Sequence, residues 1–382
     1  MKKNNELGIY LHIPFCESKC KYCDFVSFCN SDEYIEDYFN ALKKEIAIYG
    51  DKYRDKVVDS IFFGGGTPSY VDGQYISEIM KALKENFTIA EDLEVTIESN
   101  PNSIDEEKLN TYIECGINRI SIGVQSFNDQ LLKRIGRVHN RNQAINAVKM
   151  AKSVGFKNIS IDLISSIPGQ IIEDIDTSIE IINDLEIDHI SYYSLILEEG
   201  TPLYKEYSRG LLPDLPSEDC DRKMYSKLNS SLQEIGFSRY EISNFSKPNR
   251  ESRHNLKYWK IYDYIGLGLS SHSSIGNNRF YNTSSLNDYI SKLNEYGLPI
   301  IETERIDIEE RLSEFIIMGF RLINGINIDE INNRFNIDFL KEYKDEIDRN
   351  IANGLIKIAD NNVSLTNKGA DLANIVELDF YR

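Results

Sequence analysis

The chain has 382 residues, 41% hydrophobic and 11% aromatic, which allows a sizeable core and excludes global disorder. Lys and Arg number 43 against 61 Asp and Glu, a net charge of -18, the wrong sign for broad binding to a nucleic-acid backbone. No stretch approaches the about 18 apolar residues of a membrane helix, and "MKKNNELGIYLHIPF" has no cleavage-like site, so the chain reads as cytoplasmic with reduced thiols and no transmembrane segment.

Short β-rich runs alternate with amphipathic helical segments through the first half. Strands are expected at Leu7–Ile13, Val57–Phe63, Leu93–Glu98, Arg119–Val124, Asn158–Ile164 and His189–Leu195, with helices between them such as Ile171–Leu185. Six strands, each followed by a helix, imply an α/β fold with a parallel sheet and right-handed crossovers. The pattern suits both an open doubly wound sheet and a curled barrel. Unusual residues gather at the strands' carboxyl ends, the edge where parallel α/β folds place their ligands.

Glu198–Asp219 is rich in Pro and Gly and reads as a connector or lid. A helix is expected near Arg222–Ile235, then an irregular aromatic segment from Arg239 to Ser273. From Glu304 the tail turns helical and closes with a wing-like hairpin and a helix. The expected division is a core of residues 1–235, a connecting segment 236–303 and a small C-terminal helical, winged-helix-like domain 304–382.

The stretch "PFCESKCKYCDF" holds Cys16, Cys20 and Cys23 in one loop after the first strand. Structural zinc wants four ligands, usually as two close pairs. The remaining cysteines, Cys29, Cys115 and Cys220, form no second pair and read as small buried hydrophobes. Three soft thiolates suit a four-iron, four-sulfur cluster with one iron left open to a small molecule. A structural zinc protein is the bland alternative.

With an aromatic (Tyr22) before the third cysteine, the spacing C-x3-C-x2-C resembles the radical S-adenosylmethionine superfamily. The longer stretch "YLHIPFCESKCKYCDF" is similar to the branch that contains oxygen-independent coproporphyrinogen III oxidases and the HemW-type heme chaperones, over essentially the whole chain. The resemblance implies a partial (β/α)6, TIM-like barrel. It also implies S-adenosylmethionine chelating the open iron, and one-electron cleavage of its sulfonium to a 5′-deoxyadenosyl radical.

Several residues match the superfamily's cofactor contacts. "FFGGGTPS" sets Gly64, Gly65, Gly66, Thr67 and Pro68 at a strand end, where backbone without Cβ atoms can approach a ligand. Glu98 stands at a buried strand edge before Ser99, Asn100 and Pro101, either capping the next helix or, by resemblance, holding an amine or hydroxyl of the cofactor. Gln125, Arg137 and Asp162 match cofactor contacts as well, Arg137 suiting a carboxylate through its fork. By resemblance Tyr10, Tyr22 and Asp24 join them, and His12 supports the cluster through a hydrogen bond.

The oxidase branch carries a fourth cysteine two residues after the third, where this chain has Phe25. The HemW-type branch shows the "CDF" ending and the pattern H-N-x-x-Y-W, present as "HNLKYW" from His254 to Trp259. On a helix His254 and Tyr258 would share a face, and both types ligate heme iron; a packing motif is the other reading, and His272 is a second candidate. The expected function is a heme chaperone that binds heme, the cluster and S-adenosylmethionine without coproporphyrinogen oxidase activity. Its partners would be heme and heme-acceptor proteins, membrane-associated ones among them, and not nucleic acid. The alternative is the oxidase itself.

Overall fold

The computed structural model describes residues 5–295 and 297–382. Six parallel strands form the middle of a twelve-stranded sheet: β1 (Glu6–Ile13), β2 (Val57–Gly65), β3 (Thr88–Ser99), β4 (Arg119–Gln125), β5 (Ile159–Ser165) and β6 (His189–Ser194). All six expected strands are present; the largest difference is at β3, which begins at Thr88 rather than Leu93. They lie side by side in chain order, without the reversal that a doubly wound sheet shows. Right-handed crossovers between neighbours drop their helices on one face. These are α1 (Ile35–Lys52), α2 (Gly73–Asn86), α3 (Glu106–Cys115), α4 (Asp129–Arg134), α5 (Arg141–Val154) and α6 (Ile172–Leu185). Neighbouring helices α1, α2, α3, α5 and α6 pack as one layer.

The strands alternate. Leu7, Ile9, Leu11 and Ile13 on β1, Val95 and Ile97 on β3, Ile120 and Ile122 on β4, and Ile159 and Ile161 on β5 are fully buried in the main core. The intervening residues carry Tyr10 and His12, Ser60 and Phe62, Thr96 and Glu98, Arg119 and Ser121, Ser160 and Asp162, and His189 and Ser191. Register sets these largely polar positions opposite one another: Gly64 of β2 faces His12, Glu98 faces Ser121, Ser121 faces Ser160 and Asp162 faces Ser191. A two-residue period therefore separates an apolar helix-facing side from a polar inner side.

The main departure from the sequence reading follows β6. After α7 (Pro202–Ser208) and α8 (Glu218–Glu234), the stretch expected to be irregular builds β7 (Ser238–Glu241), β8 (Asn244–Ser246), α9 (Arg253–Trp259), β9 (Tyr264–Leu267) and β10 (His272–Ile275). β11 (Asn278–Asn282), α10 (Leu286–Asn294) and β12 (Ile300–Arg305) follow. β9 pairs parallel with β1 and β8 antiparallel with β6, so both edges are extended and the half-barrel stays open. β7 to β10 hold three or four residues each, too few for alternation to declare itself in sequence.

The tail forms α11 (Ile308–Gly319), β13 (Ile326–Asn327), α12 (Ile328–Phe335), α13 (Phe339–Glu342), α14 (Lys344–Ala352), β14 (Ile356–Ala359), β15 (Asn362–Leu365), α15 (Asn367–Asp371) and α16 (Ala373–Phe380). The β14–β15 hairpin with β13 is the wing, and Phe315, Ile331, Phe339, Tyr343 and Phe380 centre a core of its own. Among the described residues no helix is long and apolar enough to cross a membrane.

α9 closes the inner side of the barrel beneath β2. Ser252 caps it by accepting from Asn255 N, and the Glu94 carboxylate of β3 accepts the N–H groups of Arg253 and His254. Lys257, 3% exposed, pairs with Asp59 of β2 at 2.7 Å, and a Cβ at Gly8 would stand 2.8 Å from Lys257 Cδ. Removing one partner of an enclosed pair exposes the other charge, here leaving Asp59 only the half-exposed Arg253 at 3.9 Å. Lys257→Met is expected to lower stability by about 3 kcal/mol, and Lys257→Met/Asp59→Leu to recover part of the loss, as read by urea unfolding. A double variant no more stable than the single one would show that packing, not the stranded carboxylate, sets the cost.

Candidate functional site

The cysteine loop crosses the carboxyl end of the barrel and is held from three sides. Cys16 N donates to Phe28 O and Phe28 N to Pro14 O, closing the loop on its own stem. The glycine turn after β2 grips it next: Gly66 N donates to Ile13 O and Thr67 N to Phe15 O, both at 2.9 Å. A Cβ on Gly66 would lie 2.9 Å from Phe15 O and 3.0 Å from Cys16 Sγ, so only glycine lets the turn approach this closely. On the far side Lys21 N donates to Ile135 O, Leu203 N to Lys21 O, and Lys21 pairs with Glu206 at 2.7 Å. The stretch read as a connector or lid thus supplies α7, which anchors the loop.

Behind the loop lies a cavity of about 140 Å³. Cys16, Tyr22, Cys20, Cys23, Gly65, Gly66, Thr67, Glu98, Gln125, Arg137 and Asp162 all line it, so residues spread over about 150 positions of sequence meet there. Two of the expected contacts do not line it. Tyr10 lies deeper on the inner face of β1, its hydroxyl 3.1 Å from His12 Nδ1 and its ring stacked on Phe62. Asp24 is exposed and outside the cavity wall. His12 reaches the loop's end rather than a thiol, with Nε2 2.8 Å from Val26 O.

Several wall residues carried no contact role in the sequence reading, among them Asn100, Gly123, Tyr193 and Ser99. Asn100 donates to Thr67 Oγ1 at 3.0 Å and accepts from Arg137 at 2.5 Å. Gly123 accepts from Arg137 at 2.7 Å, and a Cβ there would meet Gln125, Asn100 and Arg137 at 2.9 to 3.3 Å. Tyr193 donates to Gln125 Oε1 at 3.2 Å, and Ser99 completes the wall. Tyr193 was findable: it shares the two-residue period of His189 and Ser191 that puts it on the inner face. Gln125 adopts φ +65° at a register shift of β4, a conformation that costs a non-glycine residue about 1 kcal/mol and aims its side chain at the cavity.

Arg137 also donates to Cys20 Sγ at 3.2 Å, setting a cation against the loop. Burial raises the Cys16 thiol and pushes Cys23 up to about 11, so the bare thiols carry protons that iron binding would release. Thr67 and Cys16 meet at 3.4 Å. Opposite the thiols, Glu98 and Asp162 keep one face on the cavity and are otherwise enclosed. Burial, then the neighbouring Asp162, push Glu98 up to about 8, against the Gly65 N–H that it accepts. Asp162 is raised by burial, moderated by Ser191 and Ser121.

Among the described residues no three His, Cys, Asp or Glu side chains converge tightly enough for a single metal ion, as tetrahedral zinc requires. The thiols instead border a common hollow, backed by a glycine cradle and the buried, unpartnered Arg137 Nε. Those features fit a cluster held by three cysteines, beside a small ligand with both cationic and anionic groups.

"HNLKYW", in the stretch expected to be irregular, forms α9 and lies elsewhere. His254 is 1% exposed, with Nδ1 3.0 Å from Ser60 Oγ and Nε2 2.9 Å from Tyr258 Oη, and burial drives it down to about 3. Ser60 sits four residues before Gly64, about 13 Å along β2 from the glycine turn. Trp259 stacks under the Arg321 guanidinium at 4.3 Å, joining α9 to the C-terminal domain. His272 is exposed and stacks on Tyr281 at 5.1 Å. Cys29, Cys115 and Cys220 are half-buried rather than fully buried, because Cys29 lies in the loop between β1 and α1, Cys115 ends α3 and Cys220 is on the first turn of α8.

Comparison with known proteins follows these lines. The Radical SAM superfamily profile matches residues 10–182, and the HemN C-terminal domain profile matches 306–372. The heme chaperone HemW of Bacillus subtilis is 34% identical over 368 residues, 96% of this chain and 97% of that protein. HemW of Lactococcus lactis is 34% identical over 367 residues, covering 96% and 95%. Among solved structures, coproporphyrinogen III oxidase HemN of Escherichia coli superposes with a TM-score of 0.86 over 99% of this chain and 90% of that one, at 23% identity, a likeness of fold.

Proposed function

The chain belongs to the HemW family of the radical SAM superfamily, and from that premise we propose that it is a cytoplasmic heme chaperone, binding heme and passing it to acceptor proteins, membrane-associated ones included. Cys16, Cys20 and Cys23 would hold a four-iron cluster. Arg137, Glu98, Asp162, Gln125 and the turn from Gly65 to Thr67 would hold S-adenosylmethionine. A cluster bound there supplies one-electron reduction of that cofactor's sulfonium. The chain's own contribution is placement: Gly66 and Thr67 fix the cysteine loop, Arg137 sets positive charge beside Cys20, and Glu98 with Asp162 presents acid oxygens to cationic or hydroxyl groups.

The observation that carries the chaperone reading over the oxidase is identity with HemW across nearly the whole of both chains. Phe25 agrees with it: it is 64% exposed at the cavity, in the place where the oxidase branch carries its fourth cysteine. The test uses anaerobically reconstituted, reduced protein with S-adenosylmethionine, given coproporphyrinogen III or heme in parallel. One heme per chain by absorbance and no decarboxylated product by chromatography are expected. Protoporphyrinogen formation would transfer the reading to the oxidase.

His254 and Tyr258 are proposed heme contacts, supported by their shared helix face and by their place in "HNLKYW". In the structure they bond each other at 2.9 Å, so that bond would open for either to hold heme. His254→Ala is expected to weaken heme binding at least about tenfold, one ligand bond's worth, with unchanged cluster content. His272→Ala serves as the comparison, and equal heme affinity and spectrum in His254→Ala and wild type would remove His254 from the site.

A further inference from the structure

Arg119 takes no part in the cavity wall, yet it is the largest of the fully buried side chains, 2% exposed. Among the described residues it forms no ion pair. Its Nη1 reaches Thr96 Oγ1 at 3.4 Å, a long hydrogen bond, and its Nε has no partner. A guanidinium taken out of water costs several kcal/mol unless opposite charge lies near it. Register places three carboxyl groups around it: Glu94, two residues before Thr96 on the same face and accepting the N–H groups of Arg253 and His254, and two more one layer above. Arg119 stands opposite Thr96, two residues below Ser121; Ser121 stands opposite Glu98 and donates to Asp162 Oδ1 at 3.1 Å. The cation thus lies one layer beneath two carboxyl groups and touches neither.

The other groups around this layer leave Arg119 as its positive charge. His189 of β6 and His254 of α9 are held neutral by burial, with Arg119 itself lowering both further. Tyr10, Tyr193, Tyr240 and Tyr258 border the same space and are kept protonated by burial. Lys257 is spent on Asp59, and Arg137 acts on Asp162 from the cavity side.

We propose that Arg119 is a positioning residue for cofactor binding: its charge, one layer below Glu98 and Asp162, favours their carboxylate forms, the forms that receive a cationic ligand. This rests on the reading that S-adenosylmethionine, a sulfonium of net positive charge, binds in the cavity. Burial holds both carboxyls above their ordinary range, Asp162 adds to the rise in Glu98, and Arg119 opposes the rise in each. Glu98, at about 8, is already mostly protonated at pH 7, and without Arg119 the carboxylate fraction falls further, leaving less negative charge to attract a cation.

The test compares Arg119→Met with wild type, both cluster-reconstituted, by equilibrium dialysis of S-adenosylmethionine at pH 7 and pH 9. A rise of one pH unit in Glu98, from about 8, weakens binding about tenfold at pH 7 and about twofold at pH 9. Arg119→Lys, which keeps the charge, and Thr96→Val, which deletes the hydrogen bond alone, are expected to keep the wild-type profile. A loss in Arg119→Met equal at both pH values, or a Thr96→Val profile matching it, would overturn the proposal. Should Arg119→Met fail to fold, an unchanged profile in the other two variants supports the role of charge, and a collapse of affinity in either overturns it. Infrared titration of the metal-free protein, with the Glu98 band assigned by Glu98→Gln, must also show its protonation midpoint moving up in Arg119→Met. That measurement needs no cofactor, so a wild type that binds no S-adenosylmethionine refutes the cofactor reading while the infrared result still decides what Arg119 does.

Discussion

Cys20→Ala is expected to abolish the cluster while leaving the barrel folded. Cys20 is half-buried in a surface loop, and its side-chain contact is the Arg137 guanidinium at 3.2 Å, so no core packing depends on it. The stability cost should stay within about 1 kcal/mol, the range of substitutions away from the core. The cluster has no spare ligand among the residues lining the cavity, since the fourth position is left for a small molecule. Iron and acid-labile sulfide after anaerobic reconstitution should fall to background, with unchanged far-ultraviolet dichroism. Cys29→Ala, outside the cavity, should reconstitute like wild type. A full cluster in Cys20→Ala would refute the ligand assignment, and zinc in place of iron and sulfide in wild type would overturn the cluster itself.

Gly65→Ala should be the most damaging single methyl group in the cavity. Gly65 has φ +110°, and a Cβ there would lie 2.7 Å from the His12 ring. Left-handed backbone alone costs an alanine about 1 kcal/mol. The collision adds to it, because His12 cannot retreat without breaking its 2.8 Å bond to Val26 O at the end of the cysteine loop. The same shift moves the Gly65 N–H that Glu98 accepts. S-adenosylmethionine affinity should fall at least about tenfold, the equivalent of about 1.4 kcal/mol, with cluster yield falling alongside. Gly200→Ala separates the two causes, for Gly200 has φ +92° and nothing within 4 Å of its Cβ position. Equal effects on stability and binding in the two variants would mean that His12 yields freely and the loop does not depend on it.

How much of this was legible in the sequence differs residue by residue. Three thiols in one loop, a glycine triplet at a strand end and a carboxylate closing a third strand each name a chemistry without a neighbour, and their placement after successive strands already pointed to one edge. Asn100 and Gly123 were not legible as wall residues. Asn100 matters because it bridges Thr67 and Arg137, and Gly123 because its carbonyl and its missing Cβ accommodate the same guanidinium. Such contacts lie between residues 14 to 37 positions apart in different elements, where spacing carries no signal. The fate of "HNLKYW" was hidden for a related reason: its helix was only a condition for His254 and Tyr258 to share a face, and the Ser60 and Glu94 that receive it could not be read.

The sequence by itself determined the alternation of the strands. An apolar residue at every second position fixes which side of each strand meets the helices, and the polar residues between them can then face only inward. Local covalent spacing is enough for that, because the two-residue period is a property of the extended chain. Only the tertiary structure decided what the inner face encloses. Strand order and register set Glu98 beside Ser121 and Asp162, with Arg119 one layer below, and the cysteine loop meets Arg137 from a turn more than 100 residues away. Those distances follow from how the sheet curls and from where α9 closes it, and both are settled by packing among segments remote in the chain.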